Sequence, residues 1–226
     1  MLSGRLGERG VRINGVQSKV MRFPKVLCAS CNNARSQPFD QAYNHFVQRV
    51  WDDPEFFRTR SEFEMYEIFP ADSDSSKKLA RYYVKNIGCR IAELGFEVPQ
   101  SVIDFMDGCE FIVAGWMVLY KDFTNYDQFR RAGQSGHYPY ANRGYAPVNP
   151  AEGPLEGFCA EIPDGPVGVY FCWQATEPLG PIFCAQSRTF LRDRAELPNP
   201  ELHEDEWNRA AIMKNVQDAQ GVPAFP

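Results

Sequence analysis

Residues 155–175 read LEGFCAEIPDGPVGVYFCWQA, and this stretch decides the class of fold. Two mainly apolar runs, 155–162 and 167–175, flank the segment Pro163-Asp164-Gly165-Pro166, and the second run is rich in β-branched and aromatic residues. Runs of this composition are typical of strands, and a Pro-Asp-Gly segment between them is typical of a tight turn. The stretch therefore predicts a β-hairpin.

Two further apolar segments, one on each side of this hairpin, predict more strands. Residues 111–120 are apolar, β-branched and aromatic, and residues 182–191 have a similar character. The first run is about half as long as a membrane-spanning helix requires. We expect an antiparallel sheet whose aromatic residues mostly fill the core.

The residues before the sheet have the periodicity of helices. Apolar residues recur at spacings of three and four after Ser36-Gln37-Pro38, between residues 74 and 95, and after Pro99 up to Gly108. Proline in the first turn and glycine just after the last turn are common at helix ends. An acidic turn after Asn199-Pro200 predicts a last helix. The predicted fold class is α+β, with helices first, then an antiparallel β-sheet and a C-terminal helix.

The segment 122–154 is predicted as a long loop in which arginines alternate with tyrosines. Loops of this length are uncommon in compact domains unless they have a role. Arginine and tyrosine side chains stack well on nucleic-acid bases. A loop that folds against its own sheet would have the same composition, so both interpretations stay open.

Charge is distributed unevenly along the chain. Residues 1–36 hold seven basic residues against one acidic residue, a balance of +6, so the net charge of −5 leaves −11 for the rest. Such an asymmetry is typical of a basic arm that meets phosphate or another acidic surface. The alternative is a solubilising tail. The only other basic surface that the pattern predicts is one face of the helix between residues 74 and 95.

Cysteine usage predicts a reduced, cytoplasmic protein. The chain has 7 cysteines, an odd number without the spacing of a disulfide framework. Its first residues have scattered arginines and no apolar run typical of a secretory signal. We expect no membrane segment.

Cys28 and Cys31 form a Cys-x-x-Cys pair, which brings two thiolates to one side of a tight turn. A tetrahedral zinc ion takes two ligands from each of two such turns. The remaining cysteines are isolated along the chain. Zinc is therefore a possible cofactor whose site is incomplete, with Cys28 and Cys31 as its metal ligands.

The run from Val26 to Asp40, VLCASCNNARSQPFD, resembles the second half of a zinc-containing HNH endonuclease finger of the treble-clef or ββα-metal type. In that family a second pair of the form Leu-Cys-x-x-Cys-Asn leads into a helix. Leu2-Ser3-Gly4-Arg5-Leu6 is similar to the glycine-containing stretch that follows the catalytic histidine. The resemblance covers residues 1–50, and it implies association with nucleic acid.

The sequence departs from this family pattern in two places. No cysteine precedes Cys28 and no histidine precedes His45, so the first metal pair and the general base are missing. We therefore expect a catalytically incomplete HNH-like protein and assign no catalytic residue; if the chain were active, it would be a metal-dependent HNH endonuclease. The candidate contacts to nucleic acid are Arg22, Lys25, Asn32 and Arg35.

Two other functions stay open. The first is a non-enzymatic α+β interaction protein in which the cysteine pair is a relic. The second is a dithiol redox protein, because a strand, a Cys-x-x-Cys pair and a helix follow one another as in thioredoxins. For all three functions we expect the chain to have two parts. Residues 1–52 hold the basic arm, the Cys-x-x-Cys knuckle and an amphipathic helix, and residues 53–226 form an α+β domain.

Overall fold

The computed structural model of the chain describes residues 3–6, 9–12, 34–70, 74–93, 95–110, 112–131, 143–148, 155, 157–175 and 188–197. The thirteen α-helices and β-strands within these ranges are β1 (Ser3–Leu6), β2 (Arg9–Arg12), α1 (Gln37–Asp52), α2 (Pro54–Arg58), β3 (Glu62–Glu64), α3 (Ser75–Glu93), α4 (Gln100–Asp107), β4 (Gly115–Lys121), α5 (Phe123–Arg131), β5 (Arg143–Val148), β6 (Gly157–Asp164), β7 (Val167–Gln174) and β8 (Arg188–Asp193). The α+β class predicted from the sequence is confirmed.

The predicted hairpin is formed by β6 and β7, which pair antiparallel with Asp164 opposite Val167. The turn between them is Gly165-Pro166, and Gly165 has a φ of 76°. This conformation favours glycine, which has no Cβ to clash with the backbone. A Cβ on Gly165 would also lie 2.7 Å from Cζ2 of Trp51 in α1. A residue without a side chain therefore lets the turn approach the Trp51 ring.

The main sheet has six strands in the order β3-β8-β4-β7-β6-β5. Adjacent strands of this sheet pair antiparallel, except β4 and β8, which are parallel. The expectation of a purely antiparallel sheet is therefore wrong at this one pair. The physical reason is that β7 and β8 run in opposite directions, as consecutive strands commonly do, but β4 lies between them.

The three helices predicted before the sheet are confirmed. α1 begins at Gln37 with Pro38 in its first turn. α3 spans Ser75–Glu93, and α4 ends before Gly108, whose φ is 127°. Glycine at this position lets the backbone leave the helix in a conformation that other residues avoid.

The predicted loop over residues 122–154 is wrong in part, because it contains α5 and β5. α5 begins after Asp122, whose Oδ1 accepts a hydrogen bond from the backbone N–H of Asn125 at 3.1 Å. An aspartate in this position satisfies a donor that the first helical turn leaves unpaired. β5 pairs with β6 at the edge of the sheet.

The helices pack on one face of the sheet and share one hydrophobic core with it. Phe46 and Val50 of α1 are fully buried in the same core as Val169 and Phe171 of β7. α1, which belongs to the predicted first part of the chain, therefore shares a core with elements of the predicted second part. The predicted finger around the cysteine pair and the predicted last helix lie outside the described residues.

The opposite face of the central strands is buried as well. Trp116, Tyr120 and Tyr170 form a second cluster with Cys159 and Cys172, and the rings of Trp116 and Tyr170 stack with centroids 5.3 Å apart. Every residue of β7 is buried. The prediction that most aromatic residues of the sheet fill the core is confirmed for the described strands. In the described part of the chain, no helix combines the length and the apolar character needed to cross a membrane.

Candidate functional site

Most of the residues that the sequence assigns to a site lie outside the described residues, namely Arg22, Lys25, Cys28, Cys31 and Asn32. Arg35 is described, and it lies two residues before α1. Its Nη2 atom is 2.8 Å from Oδ1 of Asp107 in α4, and both side chains are about half exposed. This candidate contact to nucleic acid already has an anionic partner within the chain.

Arg35 and Asp107 lie at a pocket between the start of α1, α3 and α4. The pocket has a volume of about 350 Å³. Such a volume is at the lower end of the range of small-molecule sites. Its lining is mainly apolar and consists of Arg35, Ser36, Phe39, Val84, Lys85, Gly88, Cys89, Ala92, Val98, Val102, Ile103, Met106 and Asp107.

A polar network closes one side of this pocket. Nζ of Lys85 in α3 donates a hydrogen bond to Oδ1 of Asp40 in α1 at 2.5 Å, and it lies 3.4 Å from Oγ of Ser36. The Lys85 side chain is only 11% exposed. The Asp40 side chain is 40% exposed, so only the lysine end of this ion pair is shielded from water. Breaking the pair would leave the Lys85 charge without compensation. The network therefore fixes α1 against α3 beside the pocket.

The described lining of the pocket includes one cysteine and no histidine. Cys89 is a buried thiol in its lining and forms no disulfide bond. His45, the first histidine of the chain, lies on the exposed side of α1 as the helical pattern predicts, and its Nε2 is 2.8 Å from the carbonyl oxygen of Ile68. Within the described ranges, no group of three or more histidine, cysteine or acidic side chains could hold a metal ion.

A second polar site, which sequence reasoning missed, ties the tip of the β6–β7 hairpin to the helices. Asp164 accepts hydrogen bonds from the hydroxyl of Tyr43 in α1 at 2.7 Å and from the hydroxyl of Tyr83 in α3 at 2.6 Å. Tyr43 in turn stacks on Tyr82, with centroids 3.8 Å apart. Asp164 was assigned to the turn, and the signal that could have revealed its partners is the pair of tyrosines on the apolar stripes of two predicted helices.

The environment of Asp164 changes its titration. Burial raises the pKa of this carboxyl group from its ordinary value of 3.8 to about 6, although the hydrogen bonds from Tyr83 and Tyr43 act to lower it. Burial disfavours the charged form, whereas hydroxyl donors favour it. With a pKa of about 6, Asp164 changes its charge near pH 6, at a contact between the hairpin, α1 and α3.

A third group of polar side chains lies on the opposite face of the sheet. The buried Glu161 of β6 is 3.0 Å from Nη2 of Arg194. The hydroxyls of Tyr120 and Tyr170 are buried and have no hydrogen-bond partner in the described part of the chain. Cys159 lies directly opposite Cys172, and burial together with the neighbouring thiol raises the pKa of Cys159 well above its ordinary value. A thiol with a raised pKa is mostly protonated and is a poor nucleophile. We therefore assign this group a structural role.

The basic face predicted on the helix between residues 74 and 95 is largely compensated within the protein. Lys77 is 2.5 Å from a carboxylate oxygen of Glu110, and Lys85 is paired with Asp40. Arg81 donates a hydrogen bond to the carbonyl oxygen of Phe105 at 3.0 Å. These side chains would have to give up partners before they could contact phosphate.

Comparison with known proteins gives no relative: no family model matches the chain, and searches of curated proteins and of solved structures found no match.

Proposed function

We propose that the chain is an HNH-endonuclease-like protein, catalytically incomplete over the residues of this sequence, that associates with nucleic acid through residues 1–36. The observation that carries this proposal is the run from Leu27 to Asn32, Leu-Cys-x-x-Cys-Asn, which ends shortly before α1 begins at Gln37. In the HNH family the second cysteine pair leads into a helix. The start of α1 at this distance supports the resemblance.

Electrostatics supports residues 1–36 as the part that contacts nucleic acid. This segment carries a balance of +6, whereas the rest of the chain carries −11. Phosphate contacts dominate non-specific affinity, and a strongly acidic body repels the nucleic-acid backbone. The cations of α3 that pair with carboxylates in the same molecule cannot offset this repulsion. We expect binding that is weak and falls steeply with salt.

The proposal includes no phosphodiester hydrolysis. HNH nucleases need a histidine as general base and a metal ion, and the first histidine here is His45 on α1. Cys28 and Cys31 supply two of the four ligands that a tetrahedral zinc ion requires. The proposal also sets the protein in the cytoplasm, where reduced cysteines persist. The described cysteines Cys89, Cys109, Cys159 and Cys172 form no disulfide bond.

Binding can be tested by fluorescence anisotropy with a labelled DNA duplex of about 20 base pairs, at several salt concentrations. The full chain should bind at low salt, and deletion of residues 1–25 should abolish binding. A matched control is the double variant Arg130→Ala and Arg131→Ala, which removes two exposed charges from α5 and should leave affinity nearly unchanged. Unchanged affinity after the deletion would remove the basis of the proposal.

Two further measurements test the incomplete finger. Zinc measured per purified chain should be near zero, and the variant Cys28→Ser with Cys31→Ser should give the same value. Supercoiled plasmid incubated with magnesium, manganese or zinc should remain intact. One tightly held zinc ion per monomer that disappears in the serine variant, or nicking that disappears in a His45→Ala variant, would contradict the proposal.

The pocket favours a second candidate function, an interaction protein that binds a small apolar group. The observation behind it is the mainly apolar lining and the volume of about 350 Å³. An anilinonaphthalene sulfonate dye is a suitable probe, and Ala92→Trp should fill the pocket and reduce the fluorescence of the bound dye. Equal fluorescence of the wild type and the variant would exclude the pocket as the place of dye binding.

A further inference from the structure

The pocket between the start of α1, α3 and α4 has a wall that is mostly aliphatic. Among the described residues of its lining, Phe39 is the one aromatic side chain, and the aliphatic ones are Val84, Ala92, Val98, Val102, Ile103 and Met106. Ile103 of α4 remains 39% exposed although it is large and apolar. Methionine adapts to irregular apolar shapes, whereas an aromatic ring gains most from aromatic partners. The wall therefore favours an aliphatic ligand over an aromatic one.

Gly88 of α3 adds space to this pocket. It lies in the interior of a helix of 19 residues, where glycine is less stable than alanine. A Cβ on Gly88 would lie 3.6 Å from Cγ1 of Val98 and 3.8 Å from Cγ1 of Val102, which are ordinary contact distances. Because packing leaves room for a side chain here, the effect of the glycine is to enlarge the pocket.

The polar end of the pocket has an excess of positive charge. The described charged residues of the lining are Arg35, Lys85 and Asp107. Lys85 is paired with Asp40, and this carboxylate is not part of the lining. The wall therefore presents two positive side chains and one negative side chain to a ligand. A negative head group complements this excess, whereas a positive head group meets it as a like charge.

Arg35 can bind a second carboxylate while it holds Asp107. Its contact to Asp107 is made by Nη2, and both side chains are about half exposed. A guanidinium group has five N–H donors in a planar fork that suits carboxylates. Two carboxylates on one guanidinium share a single positive charge, so Asp107 competes with an anionic ligand. Removal of the Asp107 charge should therefore strengthen the binding of that ligand.

The volume of the pocket limits the length of the ligand. The pocket encloses about 350 Å³. At about 30 Å³ for each group the size of a water molecule, it has room for about twelve non-hydrogen atoms. Decanoate, with ten carbon atoms and two oxygen atoms, has this size.

We propose that this pocket binds a medium-chain aliphatic monocarboxylate, with its chain between α3 and α4 and its carboxylate at Arg35. The proposal rests on the second candidate function given above and names the class of ligand. The aliphatic wall selects the chain, and the positive excess at Arg35 and Lys85 selects the head group.

Isothermal titration calorimetry of the full chain with decanoate measures this binding. Decanol and decyltrimethylammonium have the same chain with a neutral or a positive head group. Decanoate should bind about tenfold more tightly than either, because only its head group forms charge-assisted hydrogen bonds with Arg35. Equal affinity for the three probes, or a preference for the cation, would overturn the proposal.

Arg35→Ala and Asp107→Asn break the same ion pair from its two sides and form a matched pair of variants. Arg35→Ala should weaken the binding of decanoate about tenfold, and Asp107→Asn should strengthen it about threefold. Changes in the same direction in both variants would show an effect of the lost ion pair alone and would overturn the proposal. Arg130→Ala removes an exposed charge from α5 and should leave the affinity unchanged. A loss in Arg130→Ala equal to that in Arg35→Ala would exclude a specific head-group contact.

Gly88→Ala tests the place of the aliphatic chain. Its added methyl group takes up the space of about one methylene, so decanoate should bind about fourfold more weakly. Octanoate, which is two carbon atoms shorter, should bind nearly as it does to the wild type. Equal losses for both chain lengths, or no loss for either, would contradict a chain that lies against α3.

The outcomes also separate this inference from the candidate function on which it rests. If Ala92→Trp reduces the fluorescence of the bound dye but decanoate does not bind the wild type, the pocket stands and the class of ligand is wrong. If the dye fluorescence is equal in both proteins, the pocket and this inference fail together. Far-ultraviolet circular dichroism of the Arg35 and Asp107 variants should match the wild type, because both side chains are about half exposed.

Discussion

Replacement of Asp164 by asparagine should change the pH dependence of stability. In the folded protein this carboxyl group lies between Tyr43 and Tyr83, and burial raises its pKa from 3.8 to about 6. A raised pKa means that the fold prefers the protonated form. The associated stability is fully present below about pH 3.8 and is lost as the pH rises through about 6. The asparagine side chain has nearly the same shape as that of aspartate but does not titrate, so the variant lacks this pH dependence.

The magnitude follows from the two pKa values. A rise of about 2.2 in pKa corresponds to about 3 kcal/mol of free energy, at roughly 1.4 kcal/mol for each pH unit. The free energy of unfolding of Asp164→Asn, relative to the wild type, should therefore rise by about 3 kcal/mol over the whole range. Between about pH 4.5 and about pH 7.5 the expected rise is about 2 kcal/mol, since part of the titration lies below that window.

Urea unfolding at a series of pH values, followed by tryptophan fluorescence, measures this difference directly. Asp127→Asn is a control of opposite sign, because hydrogen bonds from Arg58 hold the pKa of Asp127 below its ordinary value. The stability that Asp127 contributes is present at neutral pH and lost in acid. The free energy of unfolding of Asp127→Asn, relative to the wild type, should therefore fall as the pH rises. A difference for Asp164→Asn that does not vary with pH, or that falls as the pH rises, would refute the reasoning.

Three further substitutions test the packing around this site and the sheet. Tyr83→Phe removes a hydrogen bond of 2.6 Å to Asp164, so it should cost about 1.5–3 kcal/mol above pH 6 and less at about pH 4.5, as measured by urea unfolding. Gly168→Ala should cost about 1–3 kcal/mol in the same assay, because its Cβ would lie 2.4 Å from Cζ of Tyr120. Gly88→Ala is its counterpart on α3, where the nearest side-chain atom would be 3.6 Å away, and it should raise the thermal midpoint because alanine favours helices by up to about 1 kcal/mol. A stabilised Gly168→Ala or a Tyr83→Phe effect that does not vary with pH would contradict these assignments.

Local patterns predicted the helices and the hairpin because they depend on neighbouring residues. The Pro163–Pro166 turn and the apolar spacing of α1 reflect steric preferences that act over a few positions, and both agree with the structure. The placement of β8 beside β4 depends on how separate segments pair, and no local pattern carries that information. α5 was missed because its residues Phe123 to Arg131 are mostly polar, and only the capping position of Asp122 marks its start.

The candidate site was predictable to a smaller degree. The turn motif around Asp164 predicts that the chain reverses there, but the hydrogen bonds to Asp164 come from Tyr43 and Tyr83, which are 121 and 81 residues away along the chain. The pocket likewise arises from residues of three helices whose relative positions follow from core packing. The role of Arg35 as a partner of Asp107 has the same origin, since sequence shows only a basic residue ahead of a helix.

The ion pair between Arg35 and Asp107 creates a competition at the mouth of the pocket. One guanidinium group 2.8 Å from this carboxylate cannot neutralise it fully while also neutralising a phosphate. If Arg35 binds a phosphate of nucleic acid and leaves Asp107, the carboxylate of Asp107 has lost its positive partner at the mainly apolar pocket. Anionic compounds in that pocket and nucleic acid at Arg35 should then antagonise each other, whereas cationic compounds should bind better when nucleic acid is present.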